Sequence, residues 1–453
     1  MRVGILLPWV GGDLPAHLSF TCRSMAGGAA TATLVLVHEA RARRSVAPAC
    51  RAQPNVDVVE LPDGGVAAAV GGRLAARAGL DAARVVAKLA AVLAASPGAL
   101  CEFKPAWGYA FAAQLARFTH WTYTDADVVF GHLDGWLRGP GPRADVETWS
   151  FEGDAGRLFL RGQWALHARG NATDFLWEAC DHLGARLEAN LDYKLDHARA
   201  LEAAGDRRAA KRAERARSDA TRGAWDAAAA AARLDGAGLG PCGGSLAAFV
   251  SAEGCYSCAV LASDAAAARG VVAAVAPLAH GDHEANAVHW FRGRLARCRG
   301  DGCAARLRAW RSAVRGGAGA PVRAGAAPDA GPLAVVRDCA DMRWICRTAP
   351  RAALHASPAA LGPGDAVRVA ARAGRDAVPA ATRLRGRAPG DVVELPLFHF
   401  RKWIDYGAWA SADDPGDGAA FVVEESGFRA RRRRGARRAP GRPAAPAAPP
   451  RPR

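Results

Sequence analysis

The chain has 453 residues, half of them apolar, enough to bury the core of one large α/β domain or two smaller ones, and it is far too long for a disulfide-scaffold miniprotein. Its net charge of +16 is concentrated at one end, because residues 429–453 carry ten arginines and no acid and leave about +6 for everything before them. No run of about 20 apolar residues occurs, which excludes an ordinary membrane-spanning helix.

In chain order, Arg2–Leu7, Thr31–Val37 and Val56–Leu61 are short β-branched and leucine-rich runs bounded by Gly and Pro, the pattern of buried strands. Helical patterns lie at about 16–25, at 66–95 across Gly71-Gly72, and at 105–118. The alternation predicts an α/β fold, a mostly parallel sheet flanked by helices. A strand at His120–Thr124 then runs into Asp125-Ala126-Asp127. Further strands are expected at Arg157–Leu160 and Trp164–His167, with Gly162-Gln163 between them and a helix from Thr173.

Residues 183–240, rich in Ala, Arg, Glu and Asp with a weak apolar face, read as a helical surface insertion. From Pro241 come short apolar pieces, then a Gly/Ala/Pro linker at 316–331, and the last organised piece is Val392–Trp403. Residues 411–453 read as a disordered Arg/Pro/Ala tail; nucleic-acid binding is not expected of it, and its one expected contact is a weak one with anionic membranes.

Arg2–Pro8 is too short for a signal peptide. The expected location is the cytoplasm for the sequence as it stands and the Golgi lumen if an N-terminal anchor precedes it. Eleven cysteines leave the redox compartment open; Cys298/Cys303 and Cys339/Cys346 are candidate bridges in an oxidising lumen. Cys255 and Cys258 with His280 and His283 fit no common zinc spacing.

Two carboxylates two residues apart at a strand's carboxyl end suit a hard divalent cation that binds protein oxygens on one side and a diphosphate on the other. Asp125-Ala126-Asp127-Val128-Val129 also fits the first motif of haloacid-dehalogenase-like phosphatases, with Asp125 as nucleophile. The polar strand before it and the lack of a convincing later Asp-rich element count against that reading. A non-catalytic sugar- or nucleic-acid-binding protein is the third possibility.

Lys104-Pro105-Ala106-Trp107-Gly108, then Thr119-His120-Trp121, then Asp125-Ala126-Asp127-Val128 and Gly131 resemble an uncharacterised bacterial and algal family of candidate glycosyltransferases of the GT-A fold. Pro8 to Gly11 with Ser24 after them, Arg161 to His167, Glu253 to Ser257, and the closing His399-Phe400-Arg401-Lys402-Trp403 extend the resemblance in order. It covers roughly residues 1–180, 245–260 and 392–405. The chain departs from that family at His38-Glu39, where Thr-Asp is usual, and at Trp107, where Tyr is usual.

The resemblance implies a GT-A-like, Rossmann-like nucleotide-sugar-binding core over 1–182 and an acceptor-side half over 241–410. It implies a metal-dependent hexosyltransferase that takes a UDP- or GDP-sugar and a carbohydrate hydroxyl, with Mn²⁺ or Mg²⁺ as cofactor. Asp125, Asp127 and His399 are then the metal residues; His399, Arg401 and Lys402 form a closing motif distantly like that of glycogenin-type retaining transferases. Pro8, Lys104, Trp107, Asp125, Arg401 and Lys402 are the expected nucleotide-sugar contacts. Gln163 is expected on a donor hydroxyl and Glu253 on the acceptor side, completing a catalytic set with Asp125 and Asp127.

Overall fold

Apolar residues run through Val3–Trp9 and Leu34–Val37 because both faces of the sheet that they enter are covered. The computed structural model describes residues 1–138, 146–151, 164–180, 183–184, 186–203, 256, 273–280, 287–298, 303–315, 392–395, 397–399, 420–424 and 427–430. The strands are β1 (Val3–Trp9), β2 (Ala32–Glu39), β3 (Val56–Leu61), β4 (His120–Tyr123), β5 (Val128–Phe130), β6 (Val146–Phe151), β7 (Ala165–Ala168), β8 (Ala273–His280), β9 (Ala287–Phe291), β10 (Arg294–Cys298), β11 (Val392–Leu395), β12 (Leu397–His399), β13 (Ala420–Glu424) and β14 (Gly427–Ala430).

Seven of them form one sheet in the order β3-β2-β1-β4-β7-β6-β8. β3, β2, β1 and β4 are mutually parallel, β7 runs against both β4 and β6, and β8 is parallel to β6. The fold is therefore α/β with a mostly parallel sheet, as the alternation predicts. The chain builds outward from β1 through β2 to β3, then returns to place β4 on the other side of β1. That reversal makes the carboxyl ends of β1 and β4 a topological switch point, where ligands of open α/β sheets gather.

Period two sorts the strands between two cores. Val3, Ile5, Leu7, Leu34 and Leu36 join one layer with Leu18 and Cys22. Leu6, Val35, Val37, Trp121 and Tyr123 join the other, with Val85, Leu89, Val92, Phe103 and Trp107. Each such fully buried side chain contributes about 1.5–3 kcal/mol by leaving water.

The helical run expected over 66–95 divides, but not at Gly71-Gly72, where the chain passes through a single π turn, Ala68–Gly72. It breaks at Gly79 (φ 68°), whose left-handed conformation caps Arg73–Ala78. Asp81 then starts the helix Ala82–Ala95 by accepting from the Arg84 N–H at 2.9 Å. Over 105–118 the expected helix shrinks to Trp107–Ala110 after a 3-10 stretch, Pro97–Ala106. Pro105 has no N–H to give a helical ladder, and Gly108 is a poor helix former.

The expected surface insertion begins inside the core. Leu183, Leu187 and Leu191 are buried beside Leu89 and Val92, and the helix Leu187–Ala203 is tied to its neighbour by Arg84–Glu188 and by Lys88–Asp192 at 2.8 Å. Residues 204–240, the linker and the tail beyond 430 fall outside the described residues.

A second, antiparallel sheet has the order β11-β10-β9-β13-β14, and β5 leaves the main sheet to pair with β12. The β9–β10 hairpin turns at Arg292 (φ 48°) and Gly293 (φ 76°), a two-residue turn of the kind that matches strand twist. It docks on Gly27 so closely that a Cβ there would lie 2.2 Å from the Gly293 carbonyl oxygen and 2.0 Å from that of Gly131. Among the described residues no helix is long and apolar enough to cross a membrane.

Candidate functional site

Leu6 in β1 pairs with Tyr123 in β4, and the Thr124 N–H donates to the Leu6 carbonyl at 3.1 Å, so the parallel ladder runs up to the residue before Asp125. The chain then turns through Asp125, Ala126 and Asp127 and enters β5. The Asp-x-Asp loop thus sits at the switch point.

One core layer grips Asp125. Lys104, only 1 % exposed, donates to Asp125 Oδ1 at 2.6 Å. Its Nζ lies 5.6 Å from the Tyr123 ring centroid and 6.0 Å from that of Trp107, within cation–π range. Trp107 is 2 % exposed and packs edge-on against Phe111 and Tyr123. Lys104 is therefore the partner of Asp125, and Trp107 is the floor beneath Lys104. Pro8 is buried in β1 opposite Val37.

The other layer grips the rest of the loop through the helix Leu18–Ser24, which we call α1. Thr21 Oγ1 donates to the Ala126 carbonyl at 3.0 Å. Ser24 Oγ accepts from the Phe130 N–H at 2.9 Å and donates to the Thr21 carbonyl at 2.6 Å. Trp290, from the second sheet, donates its indole N–H to the Phe130 carbonyl at 3.1 Å. A buried disulfide, Cys22–Cys50, fastens α1 to the short helix Pro48–Ala52. Cys303 is also disulfide-bonded, while Cys339 and Cys346 fall outside the described residues.

Asp127 is 9 % exposed. His17, on the loop between β1 and α1, feels the Asp127 charge: burial, the larger effect, holds the imidazole below the usual histidine range, and Asp127 opposes that shift. Pattern reading passed over His17, a lone histidine in a Gly/Pro loop.

The far end of the chain reaches the same place. β12 pairs antiparallel with β5 in a register that sets Leu397 opposite Phe130 and His399 opposite Val128, the residue after Asp127. β11, one residue upstream of β12, pairs with β10, so the segment 392–399 stitches the second sheet to the Asp-x-Asp strand. Gln163, Glu253, Arg401 and Lys402, and the side chain of His399, lie outside the described residues. So do Cys255, Cys258 and His283 of the cysteine-histidine cluster.

At the end of β2, where the resemblance leads one to expect Thr-Asp, Glu39 is 2 % exposed and paired with Arg41. His38 is buried beside it, opposite Trp9. Among the described residues no three His, Cys, Asp or Glu side chains gather as a ready-made metal cage.

Fold and site together define an α/β chain with a braced acidic loop at a sheet's switch point. A family of unknown function (DUF6625) matches residues 83–140, the span that holds Lys104, Trp107, Asp125 and Asp127. No curated protein matches the chain.

Proposed function

We propose that the chain is a metal-dependent glycosyltransferase of GT-A-like fold that moves a sugar from a nucleotide-sugar donor to a carbohydrate hydroxyl. The observation that carries this reading is the meeting of two distant motifs: Asp125-Ala126-Asp127 at the switch point, and His399 in register with Val128. Cα atoms paired across antiparallel strands lie about 4.5–5.5 Å apart, so the two motifs are neighbours along the backbone.

The donor set fits a hard or borderline divalent cation. Lys104 is paired with Asp125, and Asp127 is the second carboxylate of the loop. Bound there, Mn²⁺ or Mg²⁺ would supply positive charge to a diphosphate leaving group as the sugar–phosphate bond breaks. Asp127 holds the cation. Asp125, fixed by Lys104, accepts a hydrogen bond from a donor hydroxyl. The same reading gives Arg401 and Lys402 to the diphosphate oxygens, His399 to the cation, Gln163 to the donor sugar and Glu253 to the acceptor side.

The test is thermal unfolding with UDP or GDP. Mn²⁺-dependent protection that disappears in Asp127→Ala is the expected result. A wild-type protein indifferent to both nucleotides, with or without Mn²⁺, would sink the proposal. Hydrolysis across a phosphate-ester panel, lost in Asp125→Asn, would instead make Asp125 the nucleophile of a phosphatase.

A further inference from the structure

We infer that Asn171 is an acceptor for an N-linked oligosaccharide, attached at the edge of the main sheet opposite the Asp-x-Asp loop. The inference goes beyond the glycosyltransferase reading and does not rest on it. Of the chain's four asparagines, Asn171 alone heads an Asn-x-Ser/Thr tripeptide, Asn171-Ala172-Thr173, the sequence that N-linked glycan transfer recognises.

The turn that follows β7 presents this residue outward. The Arg169 N–H donates to the Thr119 carbonyl at 2.9 Å, and the one-turn helix Asn171–Asp174 comes directly after it. The last two residues of that helix anchor it inward. Thr173, 3 % exposed, donates its hydroxyl to the carbonyls of Ala168 and Gly170, and Asp174 accepts from the Trp121 indole at 2.9 Å. Asn171 itself is exposed, and a Cβ built on Gly170 before it would meet nothing within 4 Å. Asn55 and Asn190, by contrast, are buried. Ala168 pairs with His120, the first residue of β4, whereas Asp125 lies beyond the last. Roughly 20 Å of strand therefore lies between the two ends, and a bulky glycan on Asn171 leaves the switch point uncovered.

A second, independent observation points to the compartment where such transfer happens. Cys22 and Cys50 form a disulfide and Cys303 belongs to another, and protein disulfides form and persist in oxidising compartments such as the lumen of the endoplasmic reticulum. The co-reactant there is an oligosaccharide carried on a lipid diphosphate. Asn171 Nδ2 forms a bond to the anomeric carbon of the first sugar and gives up one proton. The bond from that carbon to the diphosphate oxygen breaks, and the lipid diphosphate leaves with the electron pair, so no oxidant or reductant is needed. The folded turn occupies the Thr173 hydroxyl, and the tripeptide is therefore read before the turn closes.

The experiment isolates the chain from its native cells as wild type, Asn171→Gln and Thr173→Ser. Gel mobility is followed before and after an amidase that strips N-linked glycans, together with mass spectrometry of the peptide that spans Asn171. Wild type and Thr173→Ser are expected to shift on treatment, and the wild-type peptide to emerge with its asparagine converted to aspartate. Asn171→Gln removes an exposed amide and spares the bonds of Thr173 and Asp174. It is expected to run with the stripped wild type and not to shift. An unmodified Asn171 peptide from the wild-type chain overturns the inference, and so does a shift that survives in Asn171→Gln. Either result leaves the glycosyltransferase reading standing.

Discussion

The two layers that flank the parallel sheet hold the Asp-x-Asp loop in different ways. On one side a single charge does the holding, with Lys104 buried over Tyr123 and Trp107 and bonded to Asp125. On the other side, neutral groups do it: the hydroxyls of Thr21 and Ser24 on α1, and the indole of Trp290 from the second sheet. One side holds the loop by gripping a carboxylate, the other by gripping its backbone. The two ends of one short loop are thus held by different layers through different kinds of bond.

The sharpest way to break this contrast is to remove the charge from the first side. Lys104→Met leaves Asp125 without its cation in a largely buried setting and is expected to cost about 3 kcal/mol in denaturant unfolding. Lys104→Met with Asp125→Leu should recover most of that loss, since no lone charge remains. Failure of the double variant to recover would mean that Lys104 holds the layer by packing.

A second test belongs to the same layer. His167, stacked on Trp121 with ring centroids 4.1 Å apart and bonded to the Tyr256 hydroxyl at 3.0 Å, has its pKa pushed down to about 3 by burial. The unfolded chain takes up a proton near the ordinary histidine value while the folded one does not, so this contribution to stability is present above that value. It is lost as pH falls from about 6.5 toward 3, by roughly 2–3 kcal/mol between pH 7 and pH 4. His167→Gln should flatten that part of the stability–pH curve, measured by chemical denaturation across the range.

The smallest expected effect is on the neutral side. Thr21→Val deletes one hydroxyl bond to the loop and should cost about 1 kcal/mol. If this reading of the site holds, the same variant loosens nucleotide protection more than it lowers the melting temperature. A Thr21→Ser variant, which keeps the hydroxyl, should restore both.

The first half of the fold was legible because doubly covered parallel strands are continuous apolar runs, and Val56–Leu61 was placed to the residue. The Asp-x-Asp loop was legible because a polar pair after such a strand has few places to go but its carboxyl end. The division of Val66–Ala95 was not, since Gly71-Gly72 and Gly79 look alike in sequence and only Gly79 takes a left-handed conformation. The β5–β12 pairing and the reach of Trp290 to Phe130 are contacts between distant segments, and local pattern carries no register for them.

Cys22 and Cys50 are both fully buried, and the helix that they anchor is the one that steadies the Asp127 side. Once that core has closed, neither an oxidant nor a reductant reaches the sulfurs unless the layer opens. Whichever state the pair holds when α1 docks is the state that the mature molecule keeps. Two preparations of one sequence, oxidised and reduced, would then share Lys104 and Asp125 unchanged and differ in how firmly the neighbouring carboxylate is presented.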